Sequence, residues 1–397
     1  MDIGIEIGKG LGRFFLHPLT YGFLIIAFSI GLYRVKKERE SFHIRVYNVF
    51  DDVKLAITGG LVGGILISFV TIALGLTIPL SMIALIGIVY VILSLTFQVQ
   101  WISPAYAISF ALLAALLLPK ASFEHEWFQG LDDTSFPVVL MVLVLLLFLE
   151  AWLLLKKGPE QTSPTLLKSS RGKTIGAHEL KRLWLVPVVL FVPVSDGIGP
   201  FPYWPLFTIG DMSLSPIVVP FGIGVHQWIK TTLPKEALLE RGRHIAIFAS
   251  VIMVLTVISL FVPFFVWVTI IVTIVGHEAI NLYHKVKDKG AVSYFTSRKD
   301  GLVIVGILPG SAAEKMGLEI GEMIVKVNGK KVRNEQQFYK ALQINQAFCK
   351  LEVLDLQGEI RLVNGAIYDD EHHELGVLLI TEEPSEMEVE QVGVVDS

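Results

Sequence analysis

A chain of 397 residues in which 53% are hydrophobic and 18% charged is too apolar for a soluble protein, where charged residues make up roughly 25%. That much apolar surface would aggregate in water, so the excess is expected to face lipid. Thirty-three Lys and Arg against 37 Asp and Glu leave a formal net charge of -4, which gives no nucleic-acid signal, and the single cysteine, Cys349, excludes a framework of intrachain disulfides and fits a reducing compartment.

The first dozen residues are glycine-rich and mixed, without a basic region leading a short apolar stretch to a cleavage site, so the first apolar block is expected to stay as a permanent span. A span needs about 20 mostly apolar residues to cross about 30 Å of hydrocarbon. Candidates are 18–33, 55–76, 78–97, 102–118 and 136–155. The run 183–194 is short, and 214–228 is broken by Pro216 and Pro220. The run 245–276 is too long for one crossing and is expected to be a helical hairpin turning near Val262-Pro263. The expectation for residues 1–284 is therefore an α-helical polytopic membrane domain of seven to nine helices.

Basic residues set its orientation. Arg34, Lys36, Lys37, Arg39, Arg45 and Lys54 follow the first span, and Lys156, Lys157, Lys168, Arg171, Lys173, Lys181 and Arg182 follow the fifth. Lys230, Lys235, Arg241 and Arg243 precede the hairpin, and Lys285, Lys287 and Lys289 follow it. The loop 119–135 carries Glu124, Glu126, Asp132 and Asp133 against Lys120 alone. Nine spans put every basic loop inside, the acidic loop and the N-terminus outside, and residues beyond 285 in the cytoplasm. Trp101, Trp127, Trp152, Trp184 and Trp228 lie near span ends and read as interface anchors.

Ionisable groups within spans are expensive and point to function by default. Glu150, Asp196, Asp211 and His226 are such groups, Glu150 within reach of the interface and the two aspartates flanking a Gly- and Pro-rich loop or re-entrant stretch, 198–210. No internal repeat or matched pair of broken spans supports a transporter, so helix packing and loop structure are the favoured roles. His277-Glu278-Ala279-Ile280-Asn281 approaches the zinc-protease pattern of two histidines at i and i+4 with a glutamate beside the first. Asn281 stands where the second ligand belongs, Asp196-Gly197 precedes rather than follows the histidine, and His277 is expected to be an interfacial polar cap. No catalytic residue, metal ligand or cofactor is expected.

From Gly301 the pattern is that of a small soluble α+β domain. Residues 302–307 are β-rich; Pro309-Gly310 turns into a helix with Ser311 and Glu314 as a capping box, and Gly317 suits its left-handed stop. Residues 323–327 run to Asn328-Gly329, a tight-hairpin turn. Asn334 can cap a helix from Glu335 to about Asn345, with Phe338, Ala341 and Leu342 on one face. Residues 350–356 and 359–363 flank Gln357-Gly358 as another hairpin, and 375–380 closes as a last strand. Over 290–381 this order resembles the bacterial PDZ domain, with 309–329 as the specific signature and Glu322 as a departure where that family most often has aspartate. The resemblance implies capture of an extended peptide by strand addition beside a helix. It assigns Gln337, Ala341 and Ile344 to the groove helix, and Leu375, Gly376 and Val377 to the carboxylate-cradling loop and strand of circularly permuted versions. Tyr294-Phe295 is the rival for the cradle. Residues 382–397, acidic and without a basic residue, are expected to be disordered.

The whole layout, multi-spanning part, terminal PDZ signature and Asn281 in place of a metal ligand, resembles the MinJ family, multi-pass membrane proteins that position division in Bacillus-type bacteria. What the family implies is an adaptor without catalysis. It would be enriched at septum and poles and link the polar scaffold DivIVA to MinD of the MinCD inhibitor of FtsZ assembly, with membrane proteins of the divisome as further partners. A generic PDZ membrane scaffold or protease regulator is the alternative; a transporter or a site-2-type metalloprotease ranks lower.

Overall fold

In the computed structural model, which describes residues 3–117, 130–169, 172–195, 198, 204–206, 213–290, 292–345, 348–366 and 375–380, the apolar blocks of the first 290 residues form helices wrapped around one long β-hairpin. Helix α1 (Ile3–Leu16) precedes α2 (Pro18–Phe42), α3 (Val49–Leu74), α4 (Leu80–Ser94), α5 (Pro104–Leu117) and α6 (Phe136–Lys156). Strands β1 (Ser163–Lys168), β2 (Thr174–Val194) and β3 (Ser213–Ile229) follow, then α7 (Pro234–Ser259) and α8 (Phe264–Gly290). Five of these helices, α2, α3, α6, α7 and α8, are long and apolar enough to cross a bilayer; α4 and α5 are shorter. The chain is a membrane protein. Proline opens α2, α6 and α7, where its missing N–H costs nothing, and Gly75 (φ 63°) closes α3. The helical hairpin expected across 245–276 turns between Ser259 and Phe264, around Pro263.

The two runs 183–194 and 214–228, expected as spans, are strands. They lie in β2 and β3, paired antiparallel from His178↔Ile229 to Val194↔Ser213. Both are rich in valine and carry prolines, which a helix interior tolerates poorly and a strand edge accepts. A strand among apolar helices must have its edge polar groups satisfied by protein, because lipid offers no partner. On the β2 side, Ser68 Oγ accepts from Val189 N (3.0 Å), Thr71 Oγ1 donates to Val189 O (2.6 Å), and Phe191 exchanges bonds with Leu76 O (3.1 Å) and Ile78 N (2.9 Å). Glycines of α3 let the helix lie against the strand: a methyl group on Gly60 or Gly64 would overlap the carbonyl oxygen of Leu185 or Pro187. On the β3 side, Tyr90 OH donates to Gly222 O (3.0 Å) and Gly224 N donates to Ile102 O (3.0 Å), while Pro216 and Pro220 have no N–H to satisfy. Five long apolar helices and two shorter ones remain among the described residues.

Asp196 and Asp211 lie outside the described residues, as do Lys120, Glu124, Glu126, Trp127 and the acidic tail. His226 belongs to β3, where its Nε2 lies 2.9 Å from Glu179 Oε1. Trp184, expected as an interface anchor, is fully buried in the bundle core.

The C-terminal domain is PDZ-like. Strands β4 (Leu302–Ile307), β5 (Met323–Val327), the short β6 (Lys330–Lys331), β7 (Phe348–Leu354), β8 (Ile360–Ala366) and β9 (Val377–Leu379) form one sheet in the order β8-β7-β5-β4-β9, with β6 on β5. Helices α9 (Ala312–Lys315) and α10 (Glu335–Leu342) share its core. Ser311 and Asn334 cap them as read, Gly317 adopts φ 69°, and Asn328-Gly329 turns with φ 49° and 79°. Helix α10 stops at Leu342, one turn short of the end read from the sequence.

This domain is docked on the membrane part. Gly176 N donates to Phe295 O (2.9 Å), Tyr294 N donates to Lys230 O (2.8 Å), and His178 Nε2 lies 2.8 Å from Val305 O. Phe295, Val303, Val305 and Ile380 form an apolar seam with Leu166 and Phe42.

Candidate functional site

Strand β9 is the last strand of the sheet on its side. It pairs with β4 through Ile304↔Leu379, Gly306↔Leu378 and Ile307↔Val377, and its other edge pairs with no strand among the described residues. The loop entering it is held by its carbonyls: Leu375 O accepts from Ala313 N (2.9 Å) and Gly376 O from Leu308 N (2.8 Å). Gly376 has φ 85° and sits so close to Ser311 that any side chain there would overlap it, which explains glycine at this point. An unpaired strand edge can accept an extended peptide as a further strand.

The six residues assigned to this groove from the sequence divide into two groups. Leu375, Gly376, Val377 and Ala341 (3% exposed) are buried, and the three with side chains belong to the domain core together with Phe338 and Leu342. Gln337 is exposed, and its Oε1 accepts from Arg333 N (3.0 Å) at the start of α10. Ile344 lies beyond the end of α10 and is 53% exposed, an apolar side chain free for contact. Tyr294-Phe295, the rival cradle, is engaged elsewhere: Phe295 is fully buried, its ring 5.3 Å from that of His178. The docking residues His178 and Val305 were not singled out from the sequence. For Val305 the available signal was the β-rich run 302–307, and for His178 the β-rich, proline-bearing pattern of 174–194.

Two titratable groups here are silenced by burial. Burial pushes the Cys349 thiol up to about 12, which removes it as a nucleophile near neutral pH. Burial likewise lowers His178 to about 4, against hydrogen bonds to Val305 and Thr162 that favour its proton.

Inside the bundle, the protease-like residues are tied to one another and to their neighbours. His277 and Glu150, expected near the interface, are both buried, with His277 Nε2 3.0 Å from Glu150 Oε1. A group at the membrane boundary would be solvated; these two solve the cost of burial by pairing. Ser103 Oγ donates to Glu150 Oε2 (2.9 Å), and Tyr106 OH donates to Glu278 Oε2. Asn281 Nδ2 donates to Tyr106 OH (3.0 Å), and its Oδ1 accepts from Arg241 NH2 (2.7 Å). Asn281 thus meets a guanidinium where the protease pattern would have a metal. Among the described residues, no three His, Cys, Asp or Glu side chains converge as a metal-binding set.

Residues 303–354 match the family model of the PDZ domain. Over 383 residues, covering 96% of each chain, the sequence is 35% identical to the cell division topological determinant MinJ of Bacillus subtilis (strain 168). Over 308 residues, 70% of this chain and 78% of the other, it is 25% identical to the probable cell division topological determinant MinJ of Lacticaseibacillus paracasei. A solved PDZ domain of an SdrC-like protein from Listeria monocytogenes aligns with 21% of this chain and 90% of its own length, at 15% identity and a TM-score of 0.18.

Proposed function

The chain belongs to the MinJ family of cell division topological determinants, and from that premise we propose that it is a membrane adaptor for division-site selection, joining a DivIVA-type scaffold at poles and septa to the MinCD inhibitor of FtsZ assembly. The observation that carries this reading is likeness to the Bacillus subtilis protein over 96% of both chains, membrane part and PDZ domain together. The adaptor acts by recruitment. Its helices hold it in the bilayer, and the PDZ domain, on the cytoplasmic side, captures a partner.

Strand β9 is the peptide-accepting strand of a circularly permuted PDZ module, with Gln337 and Ile344 at the rim and Ala341, Leu375, Gly376 and Val377 forming the wall. Main-chain pairing supplies affinity there, and the exposed Ile344 supplies selectivity. No chemical step is part of the function. The His277, Glu278 and Asn281 side chains are bonded to Glu150, Tyr106 and Arg241, which supports a role in holding α5, α6, α7 and α8 together.

A fluorescent fusion of the full chain, followed through division with and without the polar scaffold, tests the reading. Enrichment at septa and poles that disappears without the scaffold is expected. A uniform membrane signal in both strains would refute it.

A further inference from the structure

Where α2 leaves its apolar stretch, a cluster of cations and aromatic rings forms against the base of the β-hairpin. Lys37 Nζ stands 3.6 Å from the centre of the Trp228 ring and 2.7 Å from Glu179 Oε2, so its charge is compensated. Lys181 Nζ stands over the Tyr33 ring at 4.4 Å, with no carboxylate partner among the described residues. Behind them a cleft lined by Tyr33, Arg34, Asp52, Glu179, Lys181 and Arg182 has a volume of about 300 Å³, its open mouth included, and about 10 Å³ of enclosed space, room for one water.

Arg34 is 6% exposed; its NH1 has no hydrogen-bond partner, its Nε makes no hydrogen bond but lies 3.7 Å from Glu38 Oε1, and NH2 donates to Asn48 O (2.9 Å) and lies 3.1 Å from Asp52 Oδ2. The Nε of the buried Arg182 is also unpartnered. Unused N–H groups of buried guanidinium ions are costly unless something accepts from them. Around the cleft Arg34, Lys37, Lys181 and Arg182 face Glu38, Asp52 and Glu179, which leaves one positive charge in excess.

We propose that this cleft is a binding site for the phosphate of an anionic phospholipid headgroup, seated at the mouth against Lys181 with Arg34 behind it. Height within the bilayer selects a lipid over a soluble phosphate. Tyr33 is 43% exposed at the end of a face of α2 that also exposes Ile25 and Leu32, so the mouth opens where acyl chains give way to headgroups. The inference rests on α2 as a membrane span and not on the division-site role, so either can fail alone.

The test is native mass spectrometry of the full-length chain extracted from phosphatidylcholine vesicles containing phosphatidylglycerol. The wild type retains phosphatidylglycerol in preference to phosphatidylcholine. Lys181→Gln lowers that retention about fivefold, as expected for one cation near a membrane surface. Lys181→Arg restores it, and Lys36→Gln, at a 78% exposed lysine on the next turn, leaves it unchanged. A thermal melt in phosphatidylcholine identifies any variant that has simply misfolded, in which case Lys181→Arg against wild type still decides by its retention. Equal retention of both lipids, or equal loss in Lys181→Gln and Lys36→Gln, overturns the proposal. So does a melting shift caused by inorganic phosphate that Lys181→Gln abolishes while phosphatidylglycerol has no effect, because the site would then serve a soluble anion.

Discussion

His178 sits between two bodies of the protein and is held neutral there. Its Nε2 faces Val305 O of the PDZ domain, its Nδ1 faces Thr162 Oγ1, and burial lowers it to about 4 from 6.5. An undocked His178 takes up a proton below pH 6.5, whereas the docked one does so only near 4. The undocked form therefore binds more protons in that window, and docking weakens as pH falls from 6.5 towards 4, by about 3 kcal/mol at most. Hydrogen exchange in β4 should quicken over that range in the wild type and change far less in His178→Gln. Exchange that is flat with pH in the wild type would remove His178 as the sensor. Burial also changes how the groove can be probed. The resemblance to PDZ domains assigned Ala341 to the groove helix; its side chain is buried in the core, so Ala341→Glu places a carboxylate there and should lower the melting point. Ile344→Glu keeps the melting point and weakens partner binding; unchanged binding in that stable variant would exclude Ile344 from the groove. In the bundle, His277→Ala strands Glu150 and should cost about 3–5 kcal/mol, while Glu278→Gln keeps a bond to Tyr106 and should leave localisation intact. Stoichiometric zinc in the purified protein would reopen catalysis.

Among the elements, legibility follows the range of the interactions that decide them. The PDZ helices and turns were readable because their signals are local: Ser311 and Asn334 accept from N–H groups three residues on, and the turn at Asn328-Gly329 needs positive φ. The β-hairpin was not readable as such. Its edges are satisfied by Ser68, Thr71, Tyr90 and Ile102, more than a hundred residues away in sequence, and a short apolar run looks alike as strand or helix until those partners are known. The glycines of α3 were visible, but their reason lies in the strand they touch. Gly60→Ala pushes a methyl group into the Leu185 carbonyl and should destabilise the full chain in detergent by at least 1–3 kcal/mol, the cost of overpacking. Gly22→Ala, in α2 with nothing within 4 Å of the added methyl, should stabilise by roughly 0.5–1 kcal/mol. Equal melting points for the two variants would mean that α3 does not rest on β2.

At the scale of the whole molecule, exchanging two expected spans for a hairpin leaves unchanged the parity on which the expected orientation rests. A hairpin leaves by the end it entered: His178 and Ile229 are paired at the base, Val194 and Ser213 at the far end. Two crossings are lost, and seven helices have the same parity as nine. If each of α2 to α8 crosses, Arg34–Lys54, Lys156–Arg182, Lys230–Arg243 and Lys285–Lys289 all stay on one side, as the basic-residue rule requires. The contacts of the ends agree. Gly10 of α1 packs against Pro216 near the far end of the hairpin, while the PDZ domain packs at its base through Gly176 and His178. The N-terminus and the PDZ domain thus sit at opposite ends of the bundle. A reporter active only in the cytoplasm should work when fused after Lys289, and one active only outside should work within 124–133. A substituted cysteine at Gly8, for which nothing lies within 4 Å of an added side chain, should react with a membrane-impermeant maleimide in intact cells, whereas one placed at the exposed Lys289 should not. External labelling at both Gly8 and a cysteine placed at Lys289 would mean an even number of crossings. One of α4 and α5, the two helices too short to span alone, would then have to return to the side it came from.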